Sequence, residues 1–388
     1  MNSNLLLHFL LFINGQLLYT VNSQIIETEF VSFSQVLYIH TEMILGENTK
    51  IHYMTVKQTY NYTLFCDEQL NVLLPNDTIT RVKSNDKEIK VKKTTSELTF
   101  TNTETMKYYV LNIVDLKNDK EHCRESIYLP YKFDNIKYSL VHSLLRQRKI
   151  SKALFGYQLD KKSKQGKMFF GGIPKPWIEN KYYGKCMVEQ DKNEWSCKLE
   201  QVLLIDELNS KKYVYQNKYV SYFDSGDDKV RAPISFIRFL NENYFQEYLE
   251  HGKCNIVSSY DGNYLHCPCD FFTTFPKIIF KFDTVDLVLD MKDLFEIYGE
   301  EKKGEGGLCD LLIMENEKSP NVWVFGEAFI KNYLISFDYD TAEVTFYSEL
   351  SFKYEFGPYK EMKAILVINI ICLAIISSYL MYIRKNKI

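Results

Sequence analysis

The sequence lacks an excess of charge of either sign, has little glycine, and shows no internal repeat or long low-complexity segment. Its 388 residues carry 47 Lys and Arg against 50 Asp and Glu, so the composition provides no basic surface for nucleic acid. The 16 glycines leave few positions for turns that need a positive φ. What is present is a 46% hydrophobic composition, enough for a sizeable core in one large or two smaller domains. No cofactor is implied.

An apolar segment lies near each end of the chain. Leu5–Leu18 is too short and too interrupted to span a bilayer, and small residues follow it at Val21 and Ser23. The pattern predicts a signal peptide over residues 1–23, with an uncleaved anchor as the alternative. Ala364–Ile383 carries no formal charge and can cross about 30 Å of hydrocarbon as a helix. It is predicted to be a transmembrane helix in contact with membrane lipid, since a buried core helix would show a polar face.

The charges beyond this second segment predict its orientation. Arg384, Lys385 and Lys387 follow it at once, and the positive-inside rule keeps them in the cytosol. Asn61 and Asn76 head N-glycan acceptor triplets, which fits the same topology. The prediction is a single-pass type I protein of the secretory pathway or cell-surface membrane, with its large domain luminal or extracellular. Residues 353–363 are then a juxtamembrane linker and 384–388 a cytosolic tail.

Cysteine usage indicates an oxidising compartment. Of nine cysteines, Cys372 lies in the predicted span, and an even number remains for disulfides. The candidates pair by position as Cys186 with Cys197, Cys254 with Cys267, and Cys269 with Cys309, which leaves Cys66 and Cys123. Sequence alone leaves this connectivity open. The cluster His-Cys-Pro-Cys at 266–269 has metal-ligand residue types, but disulfides are favoured in a secreted domain, so no metal site is predicted.

The local patterns indicate a mostly β chain with a few short helices. Residues 30–130 contain short β-branched and aromatic runs separated by turn residues. Helical spacing occurs in Ser139–Ile150 and in Ile234–Leu249. The charged stretches Asp160–Lys167 and Glu300–Gly307 are predicted to be a surface turn and an exposed loop.

One segment contains a candidate catalytic carboxylate. At Asp224-Ser225-Gly226 a carboxylate follows an apolar strand and precedes a small-residue turn. Serine and glycine let the chain turn tightly and donate hydrogen bonds to the acid. The triplet alone is weak evidence, but Pro233 and a predicted helix follow it.

This segment resembles the second catalytic motif of pepsin-like aspartic proteases. Further stretches of the C-terminal half match that family in the same order, at 154–159, 168–173, 275–280 and 323–330. The resemblance implies a bilobal fold, with an N-terminal lobe at 24–150 and a C-terminal lobe at 151–352. It further implies that Asp224 is a catalytic acid supported by Ser225 and Gly226, and that Phe325 and Gly326 thread the loop beneath it.

The N-terminal half departs from the family pattern. Where the family has a first Asp-Thr-Gly, the chain reads Cys66-Asp67-Glu68, followed by Asn-Val-Leu-Leu-Pro at 71–75. In this register Cys66 occupies the catalytic position. A slip of one residue would present Asp67 instead, but along a strand it turns the side chain to the opposite face. The partner loop at 134–138 lacks its glycine, and no flap motif is found.

These departures bear on activity, because aspartic proteolysis needs two carboxylates that share one proton. We expect a membrane-anchored endopeptidase homologue that is catalytically impaired and binds a peptide or protein in its interlobe cleft. The alternatives are an active endopeptidase that uses Asp224 with Asp67, and a structural surface protein with a vestigial cleft. Asp227 and Asp228 stand where the family has small hydroxyl residues. They would raise the pKa of Asp224 if buried and have little effect if solvated.

Overall fold

The computed structural model of the protein describes the chain from residue 25 to residue 348 with gaps. The described ranges are 25–33, 36–45, 48–57, 64–65, 79–84, 87–100, 106–113, 126–132, 139–160, 165–206, 211–259, 262–269, 275–298, 307–317 and 319–348. Within them the chain is mostly β, as predicted. Several predicted features lie outside them: the signal peptide 1–23, Asn61, Cys66, Asp67, Asn76, Cys123, the loop 300–306 and the chain from residue 349 onward.

The described residues before 130 form eight strands: β1 (Ile26–Phe33), β2 (Val36–Leu45), β3 (Asn48–Lys57), β4 (Leu64–Phe65), β5 (Ile79–Ser84), β6 (Lys87–Phe100), β7 (Met106–Ile113) and β8 (Ser126–Tyr128). After helix α1 (Leu140–Arg146) come β9 (Leu154–Asp160) and β10 (Gln165–Phe170), then helix α2 (Lys175–Ile178), β11 (Tyr182–Met187), β12 (Leu199–Asp206), β13 (Lys211–Gln216), β14 (Val220–Phe223) and β15 (Val230–Ala232).

A helical segment follows β15, made of α3 (Ile234–Leu240), a π-helical turn (Asn241–Phe245) and α4 (Gln246–Glu250). The remaining strands are β16 (Asn255–Ser259), β17 (Gly262–Pro268), β18 (Lys277–Phe282), β19 (Asp286–Asp290), β20 (Phe295–Tyr298), β21 (Leu308–Leu311), β22 (Ile313–Glu315), β23 (Val322–Phe325), β24 (Leu334–Asp338) and β25 (Glu343–Ser348). A 3₁₀ turn (Met291–Leu294) precedes β20, and helix α5 (Glu327–Ile330) follows β23.

The described strands form one large sheet and three small ones. The large sheet has the order β11-β25-β24-β9-β10-β1-β2-β3-β8-β4-β7-β6-β5, so it combines strands from both sides of residue 150. The small sheets are β13-β12-β18-β19, β14-β23-β15-β22 and β16-β17-β21-β20. The second of these contains the parallel pairs β14 with β23 and β15 with β22, and it carries the Asp224 segment.

Local predictions agree with the structure in type and differ in extent. Ser139 caps α1, since its Oγ accepts from the His142 N–H at 3.2 Å, but the helix ends at Arg146 rather than at Ile150. The second predicted helix is present over 234–250 with a π-turn inside it. The predicted turn Asp160–Lys167 is wrong at both ends, because β9 continues to Asp160 and β10 begins at Gln165. Pairing with β1 and β9 keeps these polar residues extended.

The described core is rich in aromatic side chains. Trp195, Phe155 and Phe337 are fully buried, and the rings of Phe155 and Phe337 stack with centroids 4.7 Å apart. The Trp195 Nε1–H donates to the Leu129 carbonyl oxygen at 2.8 Å. This buried bond ties the chain before α1 to the core of the C-terminal half. No helix in the described part of the chain is long and apolar enough to cross a membrane, and the predicted span 364–383 lies outside that part.

Candidate active site

Asp224 lies at the end of an interior strand. Residues 220–223 pair in parallel with 322–325, and Phe223 and Phe325 are both fully buried. The Asp224 N–H continues this pairing by donating to the Phe325 carbonyl oxygen at 3.1 Å. Asp224 is 9% exposed and Ser225 is fully buried. The strand therefore delivers a carboxylate to a largely desolvated position, where its electrostatic interactions are strong.

A tight turn fixes this carboxylate. Its Oδ1 accepts from the Gly226 N–H at 2.9 Å, and the Asp227 N–H donates to the Asp224 carbonyl oxygen at 3.1 Å. This hydrogen bond and the turn bond hold the carboxylate in one orientation. The loop 224–229, here called the Asp224 loop, thus presents one oriented acid.

Gly326 supports the Asp224 loop from below. Its N–H donates to the Lys229 carbonyl oxygen at 3.0 Å, and the Glu327 N–H donates to the Asp227 carbonyl oxygen at 2.8 Å. A Cβ on Gly326 would lie 2.1 Å from the Lys229 oxygen and 2.5 Å from the Asp227 oxygen, so only glycine fits there. The structure thus brings Phe325 and Gly326 against the loop, while their part in catalysis stays a prediction.

Two cations accompany Asp227 and Asp228. The Arg231 Nε–H is shared between Asp227 Oδ1 and Oδ2, at 3.2 and 3.1 Å. The Lys229 N–H donates to Asp227 Oδ1 at 3.0 Å, and Lys229 Nζ lies 3.3 Å from Asp228 Oδ2. Burial raises the pKa of Asp227 to about 6, against the lowering effect of Arg231. The two extra carboxylates are neither isolated nor simply solvated, because each is part of an ion pair. Sequence reasoning missed Arg231, although its position four residues after Asp227 was the available signal.

The predicted first half-site is described only as far as the strand that precedes it. Residues 64–65 pair in parallel with 111–112 of β7, and Leu64 also pairs with Ser126 of β8. Cys66, Asp67 and the partner segment 134–138 lie outside the described residues. Whether Cys66 or Asp67 approaches Asp224 therefore stays a prediction.

The disulfide predictions for the C-terminal half are confirmed. The bonds are Cys186–Cys197, Cys254–Cys267 and Cys269–Cys309. Cys267 and Cys269 are thereby oxidised and provide no thiolate, so the metal alternative at 266–269 is wrong. The neighbouring His266 has its Nδ1 2.5 Å from Asp310 Oδ1.

Comparison with known proteins gives the family. A family model described as eukaryotic aspartyl protease matches residues 124–348, more than half of the chain. The match includes the Asp224 loop and its support from Gly326, whereas residues 66–75 lie before it. A search of curated proteins finds no match. The protein belongs to the pepsin-like eukaryotic aspartyl proteases.

Proposed function

We propose that the protein binds a peptide or protein in the cleft between its lobes and is impaired in hydrolysing it. The observation that carries the proposal is the contrast between an Asp224 loop with its supporting contacts and a first motif that reads Cys66-Asp67-Glu68. A pepsin-like cleft takes an extended peptide, so the family relation supports peptide or protein as the ligand class.

The chemical reason for impairment is the loss of a coupled pair. Two carboxylates about 3 Å apart cannot both ionise, so one stays protonated and polarises the peptide carbonyl while the other activates water. Such a pair titrates as a unit. A thiol at position 66 cannot share a proton with Asp224 in this way. Asp224 alone would orient a water molecule without supplying the acid partner.

The proposal includes a location: the protein is tethered to a membrane. The three disulfides support a chain that folds in an oxidising compartment, in keeping with a secreted or lumen-facing domain. The apolar segment 364–383 and the cations after it support a single-pass anchor with the domain outside the cytosol. N-glycans at Asn61 and Asn76 belong to the same proposal.

The test uses the full chain in detergent micelles, with a fluorogenic peptide library from pH 3 to pH 7. We expect binding of a statine-type peptide with cleavage at or near background. Asp224→Asn should weaken that binding, because the statine hydroxyl would meet a neutral amide in place of the carboxylate. A matched control is Asp286→Asn, since Asp286 pairs with Lys281 at 3.6 Å on β18 and β19.

The second candidate is an active endopeptidase that uses Asp224 with Asp67, and the oriented carboxylate of Asp224 is the observation in its favour. It predicts acid-range cleavage that both Asp224→Asn and Asp67→Asn abolish and that the statine-type peptide blocks. Robust cleavage of this kind would overturn the proposal of impaired activity. Absence of both cleavage and statine binding would overturn the proposed cleft function as well.

A further inference from the structure

The Asp224 loop ends in a compact group of four charges. Asp227 and Asp228 provide two carboxylates, and Lys229 and Arg231 provide two cations, so the group is electrically balanced. Their side chains are between 16% and 28% exposed, so most of each lies out of water. Arg231 is central to the group, because it contacts Asp227 at 3.1 Å and Asp228 at 3.8 Å.

This arrangement replaces the small hydroxyl residues that the family has after its second motif. A hydroxyl needs no counter-ion, whereas a mostly buried carboxylate is costly unless it is paired. The Asp227 carbonyl oxygen also accepts the Glu327 N–H, so one residue makes both the ion pair with Arg231 and a backbone contact that supports the loop. The Arg231 backbone is anchored between β22 and β23, where it is in register with Met314 and Val324.

We propose that Arg231 is a positioning residue for Asp224: through Asp227 it fixes the Asp224 loop in the conformation that presents the acid. Arg231 lies on a strand that pairs on both sides, so its backbone is held in place beside the Asp224 loop. The inference rests on the proposed role of Asp224 and deepens it, because it names what holds that carboxylate in this chain.

The pairing depends on pH. The charged groups around Asp227 are Asp224, Asp228, Lys229 and Arg231 on the same segment and Glu327 at the start of α5. The raised pKa of Asp227, about 6, leaves it ionised at pH 7.5 and mostly protonated at pH 4.5. Arg231 therefore holds a charged partner at neutral pH and a neutral one in acid, so its removal should matter more at neutral pH.

Hydrogen exchange of the full chain in detergent micelles, read by mass spectrometry on peptides that cover 220–232, tests this directly. Protection is compared at pH 4.5 and pH 7.5 after correction for intrinsic exchange rates. For Arg231→Met we expect about a tenfold loss of protection at pH 7.5 and less than about a threefold loss at pH 4.5. Arg231→Lys keeps the charge and should recover part of the protection.

Two further variants exclude a general loss of structure. Asp227→Ser with Arg231→Met removes both charges together and should restore protection at both pH values towards wild type. Lys281→Met breaks a comparable ion pair elsewhere, that of Lys281 with Asp286, and should leave peptides 220–232 unchanged. Should Arg231→Met not fold, Arg231→Lys and Asp227→Ser still give the comparison of the two pH values.

The hydrogen-exchange result for Arg231 can be told apart from the binding and cleavage results that test the proposed function. A loss of protection equal at both pH values, or no loss at all, would overturn the positioning role. The exchange measurement needs no ligand, so it decides this role even if the wild-type protein fails to bind the statine-type peptide. If the wild type does bind, Arg231→Met should weaken binding more at pH 7.5 than at pH 4.5.

Discussion

The segments 65–75 and 223–233 are predicted to be equivalent, and their sequences differ in the residues that follow the entering strand. At the second segment, Asp224 follows a strand that pairs with 322–325, its carboxylate accepts from Gly226, and the loop rests on Gly326. At the first segment, Leu64 and Phe65 also have a parallel neighbour, in β7. After Phe65, however, the chain continues Cys-Asp-Glu, without the small residues that make the turn of the second segment.

From this difference we expect a catalytic carboxylate to depend on the turn that follows it and on the residue that supports that turn. Serine and glycine after Asp224 allow a tight turn in which the Gly226 N–H donates to the acid. Glutamate and glutamine at 68 and 69 carry bulky polar side chains, so we do not expect them to form the same tight turn. The following predictions test how far this contrast extends, beginning with the largest expected effect.

Gly326→Ala should destabilise the Asp224 loop and with it the folded protein. Its Cβ would lie 2.1 Å from the Lys229 carbonyl oxygen, a backbone atom that cannot move without opening the loop. We expect a loss of more than about 4 kcal/mol in the free energy of unfolding, measured by denaturant titration. Gly172→Ala is the control, because its nearest neighbour is a flexible side-chain carbon of Ile25 at 3.3 Å; it should cost less than about 1 kcal/mol. Equal costs for the two variants would contradict the support assigned to Gly326.

Restoring the first motif should make the first segment chemically similar to the second. The triple change Cys66→Asp, Asp67→Thr and Glu68→Gly supplies a second carboxylate and a compact turn. We expect acid-range peptide cleavage to rise by about 100-fold or more over the parent chain, as a positioned acid–base group contributes. The same triple change together with Asp224→Asn should return cleavage to background. A triple variant as inactive as its parent would place the defect elsewhere in the first lobe.

Asp227→Asn should change how stability depends on pH. The folded pKa of about 6 lies above the ordinary carboxyl value of 3.8, so folding favours the protonated form. Asp227 thus contributes stability that is fully present below pH 3.8 and is lost as the pH rises through 6. Relative to wild type, the variant should gain up to about 3 kcal/mol in unfolding free energy between pH 4 and pH 7.5. A difference that does not vary with pH would show that Asp227 does not titrate in this range.

Trp195→Phe should have the smallest effect. It removes the buried donor to the Leu129 carbonyl oxygen while keeping an aromatic ring among Phe155 and Phe337. We expect a cost of about 2 kcal/mol, since the carbonyl is left without this partner. Trp177→Phe, on the partly buried helix α2, should cost less. If both variants cost the same, the bond to Leu129 does not stabilise the junction between the N-terminal strands and the core.

Sequence reasoning reached the mostly β class, the approximate positions of two helices, and the pairing of six cysteines. These features follow from short-range patterns: aromatic and β-branched runs, helical spacing, and cysteines that flank single loops. It misplaced the turn at 160–167, where polar composition suggested a loop but cross-strand pairing keeps Gln165, Gly166 and Lys167 extended. It also left open whether Asp227 and Asp228 were buried, because that depends on a strand more than 80 residues further along the chain.

By itself the sequence determined that an acid with a small-residue turn stands at 224–226 and that residue 66 is not an acid, because residue identity alone fixes which groups carry a carboxyl. Only the tertiary structure decided that residues 322–327 lie beneath that turn, that Gly326 must lack a side chain, and that Arg231 pairs with Asp227. These contacts depend on where distant strands meet, and parallel pairing of 220–223 with 322–325 brings together groups about a hundred positions apart.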